Sequence, residues 1–209
     1  MFPNYIWDIK TDDKTLYLTF DDGPTPHVTN WVLTTLRSFN AKATFFCIGK
    51  NVEKNPGLLN LILSEGHAVG NHTQNHLNGW KTKTEDYLEN IAQCEAVFKS
   101  EIKNSNKTKN QKPLSVNLFR PPYGKITKRQ SKALIALGYN IIMWDVISFD
   151  WDKKLAKENC LINVTRKAKN GSIVVFHDSV KASKNLQYAL PKVLEYFGKK
   201  GYSFKALQF

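Results

Sequence analysis

Short apolar runs alternate with amphipathic segments along most of the chain. The runs are rich in aliphatic, aromatic and β-branched residues, a composition typical of buried strands. We expect strands at Leu16–Phe20, Ala43–Ile48, Ala68–Gly70, Asn117–Phe119, Asn140–Val146, Ser172–Phe176 and Tyr202–Leu207. Between these runs, apolar residues recur at helical spacing. This spacing predicts helices over Val28–Phe39, Pro56–Glu65, Thr127–Leu137, Leu155–Lys169 and Asn185–Lys199, and a long helix from Thr84 through Phe98.

The predicted strands and helices follow one another in regular alternation, which indicates βα units and a parallel sheet. About seven such units in a chain of 209 residues suit a single α/β domain that is closed, or nearly closed, into a barrel. We assign residues 1–15 to an N-terminal extension and residues 16–209 to the α/β domain itself. The segment Lys103–Pro113 is polar and poor in apolar residues, so we expect an exposed loop there.

Reactive side chains fall at the carboxyl ends of the predicted strands. In parallel barrels these strand ends meet on one rim, where catalytic groups gather. The residues at or just past a strand end are Asp21, Asp22, His72, His76, Arg120, Asp150 and His177. Their predicted convergence on one rim is the strongest physical indication of a functional site.

Two adjacent carboxylates, Asp21 and Asp22, follow the first strand. Adjacent acids repel each other and are costly unless a cation, or a division into acid and base, makes use of them. The alternative is a simple Asp-Gly turn, since Gly23 comes next. His72 and His76 are four residues apart, a spacing that lets both rings point one way, although such a pair is weak evidence alone. With Asp22 they offer two nitrogens and one oxygen, which resembles a catalytic metal site with open positions for water and substrate.

The other polar groups suggest roles around such a metal. Asp21 is placed to accept a proton from a water molecule that the metal activates. Arg120 would keep Asp21 ionised and oriented. His177 would act as general acid for a leaving amine, and Asp150 would fix its tautomer. Taken singly, an arginine before a Pro-Gly turn and a histidine at a strand end are more often structural.

Aromatic residues near the strand ends suggest how a substrate would be held. The backbone N–H of Tyr123 is a candidate oxyanion donor. Trp151 offers a face for stacking on a sugar, with Trp80 and Tyr123 as weaker candidates, and the alternative for Trp151 is a core position. His27 and His67 lack matching partners and are expected at the surface or in the core.

The composition limits the class of protein. The net charge of +12 suits a polyanionic partner, but the lysines are spread along the chain and no nucleic-acid-binding motif is present, so we expect no nucleic-acid partner. Cys47, Cys94 and Cys160 are widely spaced and predict no disulfide framework. Neither a signal peptide nor a run of about 18 apolar residues is visible. We therefore expect a cytoplasmic monomer, or an extracytoplasmic protein if a leader has been removed.

Five short motifs, in this order, resemble those of the polysaccharide deacetylases of the NodB-homology type, carbohydrate esterase family 4. They are Thr19–Gly23 (TFDDG), His72–His76 (HTQNH), Arg120–Gly124 (RPPYG), the pair Asp150 and Trp151, and Val175–His177, which corresponds to a leucine-x-histidine motif. The resemblance extends over about Leu16 to Leu207, and the five motifs together are highly specific.

This resemblance implies a distorted (β/α)7 barrel and a divalent metal, usually zinc, with Co²⁺, Ni²⁺ or Mn²⁺ as alternatives. The implied reaction is hydrolytic removal of an N-acetyl group from N-acetylglucosamine in a chitin-like or peptidoglycan glycan. The implied roles are Asp22, His72 and His76 as metal ligands, Asp21 as base supported by Arg120, His177 as acid supported by Asp150, Tyr123 as oxyanion donor, and Val175 in the pocket for the acetyl methyl.

Two positions depart from the family pattern. Ile147 stands where relatives often carry an acid, which would change the polarity of the groove, and Val175 replaces a leucine, which would widen the acyl pocket. The alternative functions are O-deacetylation of acetylxylan, hydrolysis of a small amide or cyclic imide, and carbohydrate binding without turnover. Short loops after the strands favour a polymer, and the intact set of acid, base and ligands argues against lost turnover.

Overall fold

The computed structural model describes residues 5–105 and 117–209 of the chain. The strands in these ranges are β1 (Tyr5–Ile6), β2 (Thr15–Asp21), β3 (Ala43–Cys47), β4 (Ala68–Asn71), β5 (Leu118–Phe119), β6 (Asn140–Ile142), β7 (Val146–Ile147), β8 (Ile173–His177) and β9 (Ser203–Phe204). The α-helices are α1 (Val28–Ser38), α2 (Gly49–Lys54), α3 (Leu58–Ser64), α4 (Thr84–Ser105), α5 (Lys128–Ala136), α6 (Lys157–Thr165) and α7 (Ser183–Lys199). Short 3₁₀ turns lie at Gly79–Lys81 and Pro122–Gly124.

The strands form one parallel sheet in the order β1-β6-β5-β4-β3-β2-β8-β7, with β9 paired to β2. Strands β6 and β7 lie near opposite ends of this order although only three residues separate them in the chain. The sheet must therefore curl until its ends approach each other. This arrangement confirms the predicted single α/β domain with a parallel, barrel-like sheet.

The prediction of one continuous strand at Asn140–Val146 is wrong, because the chain changes partners within it. The backbone N–H of Met143 donates to the carbonyl of Ile6 on β1. Two residues later, the carboxylate of Asp145 accepts hydrogen bonds from the Ser172 hydroxyl (2.7 Å) and the Ile173 N–H (2.8 Å), at the start of β8. The run thus passes from one end of the sheet to the other.

Part of the segment predicted as an N-terminal extension lies in the sheet. Tyr5 and Ile6 pair with Ile141 and Ile142 of β6. Further along, the Ile9 N–H donates to the carbonyl of Gly171, just before β8. The segment therefore bridges the two ends of the curled sheet.

Alternate residues of β2 face opposite sides of the sheet, as in any strand. Leu16, Leu18 and Phe20 are fully buried in the main hydrophobic core with apolar residues of α1 and α7. Thr19 and Asp21 lie on the other side, inside the barrel, where both contact Arg120. This alternation brings the Asp21 carboxylate to the inner surface at the end of the strand.

Local differences from the predicted elements have simple causes. The predicted helix Pro56–Glu65 begins later, at Leu58, because Gly57 adopts a left-handed conformation with φ of 87°. Helix α2 was not predicted, because its short sequence is largely polar. The predicted loop Lys103–Pro113 overlaps the end of α4, and its remainder lies outside the described residues. The three cysteines are buried and unpaired.

In the part of the chain that the structure describes, no helix combines the length and apolar character that a bilayer span requires.

Candidate active site

The predicted site residues converge at the carboxyl ends of the strands, around a cleft of about 500 Å³. The predicted residues that line it are Asp21, Asp22, His72, His76, Tyr123, Trp151, Val175 and His177. Arg120 and Asp150 are buried and contact two of these side chains from within the fold. The site thus has one layer of side chains that line the cleft and a deeper layer, Arg120 and Asp150, that positions two of them.

The side chains of Asp22, His72 and His76 form a group that can hold a cation. One donor atom from each lies within 4.8 Å of the others. The Nε2 atoms of His72 and His76 lie 3.7 and 3.2 Å from Asp22 Oδ1. His72 Nδ1 donates to the carbonyl of Arg120 at 2.7 Å, and His76 Nδ1 lies 3.0 Å from the Tyr123 hydroxyl. Because the Nδ1 atoms are engaged elsewhere, both Nε2 atoms face the carboxylate, and this donor set fits zinc.

The electrostatics of this group also suit a metal. Burial opposes ionisation of Asp22, but the hydrogen bond with His76 and the nearby His72 and His177 hold its pKa well below the usual range. Burial lowers the pKa of His72 to about 4 despite the opposing attraction of Asp21. The carboxylate is therefore ionised and the His72 imidazole neutral at pH 7, and metal binding requires both states.

The two histidines lie on a loop after β4, and the backbone of this loop is unusual. In this loop, Thr73 and His76 have φ values of 65° and 57°. Two site residues outside the loop also have positive φ, namely Asp22 at 78° and Tyr123 at 61°. Positive φ is uncommon for residues other than glycine and marks strain that the surroundings must hold. One such support is Asn71, whose buried side-chain oxygen accepts from the Thr73 N–H at 2.8 Å. The loop brings the two rings within 5.1 Å of each other without a helix.

Arg120 fixes the carboxylate of Asp21. Its Nη1 donates to Asp21 Oδ1 at 2.8 Å and to the Thr19 hydroxyl at 2.7 Å. Its other donors reach the carbonyl oxygens of Ile142 (3.2 Å) and Met143 (2.9 Å). Arg120 is fully buried and Asp21 is 4% exposed, so water does not compete for this pair. Arg120 is itself fixed by these four hydrogen bonds, so its charge-assisted contact gives the Asp21 carboxylate a defined orientation toward the cleft.

His177 is held in the same way by Asp150. The carboxylate accepts from His177 Nδ1 and from the His177 backbone N–H, each at 2.8 Å. Burial disfavours the charged imidazole, but Asp150, with Asp21 and Asp22, outweighs it and raises the pKa of His177 to about 9. The Trp151 ring packs edge-on against the imidazole at 4.6 Å. Nε2 is thus the nitrogen left to face the cleft, and the ring is protonated at neutral pH.

Several residues that the sequence motifs did not indicate also belong to this region. Trp144, Lys125 and Lys181 line the cleft. Ile147 also lines it, although the sequence indicated this residue only as a departure from the family pattern and not as a site residue. Their positions depend on how separate loops meet, which no local pattern reveals. Trp80 does not line it; its indole N–H donates to the Ile126 carbonyl.

Asp178 is a further buried acid, to which the sequence motifs give no role. One oxygen accepts from the Thr29 hydroxyl at 2.6 Å, and the other has no hydrogen-bond partner among the described residues. Burial raises the pKa of Asp178 to about 7. The carboxyl lies so close to Gly23 that a Cβ there would be 2.0 Å from Asp178 Oδ2. Its position directly after His177 was the available signal.

The two remaining histidines lie as expected. His67 is buried, and its Nδ1 accepts from the Ala43 N–H at 3.2 Å, while burial lowers its pKa to about 4. His27 is exposed at the start of α1. Neither belongs to the cleft.

A sequence model of the polysaccharide deacetylases matches residues 8–142, more than half of the chain. The chain belongs to the polysaccharide deacetylase family. The match covers the segments that carry Asp21, Asp22, His72, His76 and Arg120.

Members of the polysaccharide deacetylase family resemble the chain over most of its length. A peptidoglycan-N-acetylglucosamine deacetylase of Bacillus cereus is 36% identical over 200 residues, which cover 95% of this chain and 88% of that protein. A peptidoglycan-N-acetylglucosamine deacetylase of Listeria monocytogenes is 36% identical over 197 residues. That match covers 92% of this chain but 38% of the Listeria protein, which is therefore much longer.

Solved structures of this family share the fold. The crystal structure of a peptidoglycan N-acetylglucosamine deacetylase in complex with 4-naphthalen-1-yl-N-oxidanyl-benzamide has a TM-score of 0.88 at 30% identity, covering 98% of this chain and 91% of that one. A family 4 carbohydrate esterase from Streptomyces lividans in complex with acetate has a TM-score of 0.80 at 25% identity, covering 93% of each chain. A family 4 pseudoenzyme from Bacillus anthracis has a TM-score of 0.82 at 24% identity, covering 99% of this chain and 68% of that one, a likeness of fold alone.

Proposed function

We propose that this polysaccharide deacetylase is a metal-dependent hydrolase that removes N-acetyl groups from N-acetylglucosamine residues of peptidoglycan or a chitin-like glycan. The observation that carries the proposal is the combination, in one cleft, of a metal donor set, a carboxylate held by Arg120 and an imidazole held by Asp150. The peptidoglycan deacetylases among its relatives support this reaction class.

Asp22, His72 and His76 would hold the divalent cation. Two imidazole nitrogens and one carboxylate oxygen are ligands typical of catalytic zinc, and Co²⁺, Ni²⁺ or Mn²⁺ are the alternatives. When bound, such a cation would lower the pKa of a water molecule and polarise the acyl carbonyl.

The protein's own side chains would then move the protons. Asp21 would accept a proton from the attacking water, while its contact with Arg120 holds the carboxylate in place. His177, protonated at neutral pH, would donate a proton to the amine nitrogen as the C–N bond breaks. The products are acetate and a free amino sugar.

Other cleft residues would orient the acetylated sugar. Ile147 and Val175 are register partners on β7 and β8 and form an apolar wall suited to the acetyl methyl. The Tyr123 backbone N–H would stabilise the developing oxyanion. Trp151 would stack on a sugar ring in addition to supporting His177.

An acetate-release screen on chito-oligosaccharides, peptidoglycan and acetylxylan tests this proposal. We expect release from an N-acetylated glycan that a chelator abolishes and Zn²⁺ restores. Release from acetylxylan alone would identify an O-deacetylase, and release only from small amides or cyclic imides would identify that alternative. No release from any substrate in the presence of zinc would support a carbohydrate-binding protein without turnover.

The substrate also bears on location. Peptidoglycan lies outside the cytoplasm, so a peptidoglycan substrate favours the extracytoplasmic one of the two expected compartments.

A further inference from the structure

A second cleft, of about 520 Å³, opens beside the catalytic one. Four exposed lysines line it, namely Lys153, Lys157, Lys181 and Lys184, and Lys181 also lines the catalytic cleft. None of the four forms an ion pair within 4.0 Å with any residue in the described ranges. We call this surface the lysine cleft. Lys157 Nζ lies 4.7 Å from the centre of the Tyr188 ring. No carboxylate in the described ranges neutralises the four ammonium groups, so they can attract an anionic ligand.

The backbone adds to this positive potential. Helix α6 begins at Lys157 and helix α7 at Ser183, so the first turns of both helices border the lysine cleft. The N-terminus of a helix carries a partial positive charge that favours anions. Among the described residues that line the cleft, Glu158 is the single acidic side chain. Four lysines and two helix starts outweigh it.

Hydrogen bonds connect one wall of the lysine cleft to the residue that holds the proposed proton donor. The buried side-chain amide of Asn185, in the first turn of α7, donates to the carbonyl oxygens of Asp150 (3.3 Å) and Asp152 (3.2 Å). Asp150 in turn holds the His177 imidazole. The start of α7, which carries Lys184, is therefore hydrogen-bonded to the segment that positions the proposed proton donor.

We propose that the lysine cleft binds carboxylates carried by the glycan substrate, so that the enzyme prefers anionic peptidoglycan strands to neutral chitin-like ones. This inference rests on the proposed function and deepens it. Chitin-like chains of N-acetylglucosamine are uncharged and would leave the lysines without partners. Peptidoglycan strands carry carboxylates, either on the lactyl ether of alternate sugars or on the attached peptides. Both sources present the same chemistry to an ammonium group.

The test compares a triple variant, K153Q/K157Q/K184Q, with the wild type. Lys181 is left intact because it also lines the catalytic cleft. The matched control is K54Q/K132Q/K205Q, which removes three charges at exposed positions outside both clefts. The substrates are a neutral chito-oligosaccharide, peptide-free peptidoglycan strands with free lactyl carboxylates, and peptide-bearing strands. Binding of each is measured by calorimetry alongside acetate release.

We expect the lysine-cleft variant to raise KM and Kd for the anionic strands by roughly tenfold, because each exposed ion pair contributes a few-fold. Values for the chito-oligosaccharide, and all values for the control variant, should change little. An effect on peptide-free strands would identify the lactyl carboxylate, and an effect confined to peptide-bearing strands would identify the peptide.

Equal losses on neutral and anionic glycans, or unchanged binding of both anionic strands, would overturn the inference. Failure of the proposed function looks different, because the wild type would then release no acetate from any glycan. The binding measurements would still decide the role of the lysine cleft.

Discussion

Replacement of Asp150 by asparagine tests the proposed proton donor most sharply. Both carboxylate oxygens of Asp150 accept hydrogen bonds from His177, one from Nδ1 and one from the backbone N–H. Asparagine offers one acceptor oxygen and one NH₂ group, so Asp150→Asn keeps both contacts only if its NH₂ group donates to Nδ1 of a neutral imidazole, which places the ring proton on Nε2. The Asp150 side chain is fully buried, so water does not restore a proton-accepting partner for Nδ1. The substitution thus removes a charge and disfavours the imidazolium, while the shape of the side chain at residue 150 is retained.

The size of the effect follows from the pKa of His177. That pKa is about 9 against an ordinary 6.5, which corresponds to roughly 3 kcal/mol in favour of the imidazolium at about 1.36 kcal/mol per pKa unit. Without the Asp150 charge, burial opposes the remaining attraction of Asp21 and Asp22, so we expect the pKa of His177 to fall back toward its ordinary value of 6.5. Because the folded-state pKa is raised, this stabilisation is fully present below pH 6.5 and is lost as the pH rises through about 9. The variant should therefore be less stable than the wild type at pH 6, with the difference shrinking toward alkaline pH.

The assay is the pH dependence of acetate release by zinc-loaded enzyme. We expect the alkaline limb of the profile to move down by about two pH units in Asp150→Asn. At pH 8 the protonated fraction of His177 would fall roughly 30-fold if its pKa changes from about 9 to 6.5. A bound cation would repel the imidazolium in the wild type and in the variant alike. It would therefore lower the pH of the alkaline limb in both proteins, and the difference between them would remain. Urea unfolding at pH 6 and 9 gives a readout that does not depend on turnover.

Asp152→Asn is the matched control, because it removes the same charge from an exposed side chain two residues away. Its pH profile should coincide with that of the wild type. If the alkaline limb of Asp150→Asn also stayed in place, the titrating group would not be the Asp150–His177 pair, and the role proposed for His177 would be wrong.

Three further substitutions test other parts of the site. Asp21→Asn should keep its zinc and lower acetate release by about 10²–10⁴-fold, because it removes the base but no ligand; a wild-type rate would contradict this role. His76→Ala should bind less zinc in elemental analysis than either the wild type or the control His27→Ala, and undiminished zinc would remove His76 from the ligand set. Gly23→Ala should lose about 1–3 kcal/mol of stability in urea unfolding, because its Cβ would overlap the Asp178 carboxyl. In a double variant with Gly23→Ala, the substitution Asp178→Ala should restore part of that lost stability. If the double variant were no more stable than Gly23→Ala, the strain would lie elsewhere.

The elements with strong periodicity could be predicted from the sequence, while the connections between them could not. The buried runs of β2, β3 and β8 lie within one residue of their predicted bounds, because burial on both faces demands continuous apolar sequence. The break between β6 and β7 was missed, since it depends on Asp145 binding the backbone at the start of β8. Strand β1 was also missed, because two residues carry no periodic pattern.

In the candidate site, likewise, the sequence predicted which residues belong but not how they are arranged. The reactive residues could be found because polar side chains at the ends of apolar strands are conspicuous. Their geometry could not, because positive φ values at Asp22, His76 and Tyr123 occur where glycine would be the usual choice. Local sequence does not reveal a strained conformation that tertiary contacts hold in place. Two other features also depend on tertiary structure alone. They are the close approach of Asp178 to Gly23 and the position of the first turns of α6 and α7 at the same cleft.

The division between buried and exposed groups has a consequence for substrate range. Arg120 and Asp150 fix the proposed base and acid from inside the fold, where no solvent or substrate reaches them. Lys153 and Lys184 lie on exposed surface that does not line the catalytic cleft. Changes at the lysine cleft should therefore alter which glycan is bound without disturbing the proposed proton transfers. In a barrel of this kind, substitutions at the rim can change the substrate specificity while the buried ion pairs preserve the catalytic chemistry.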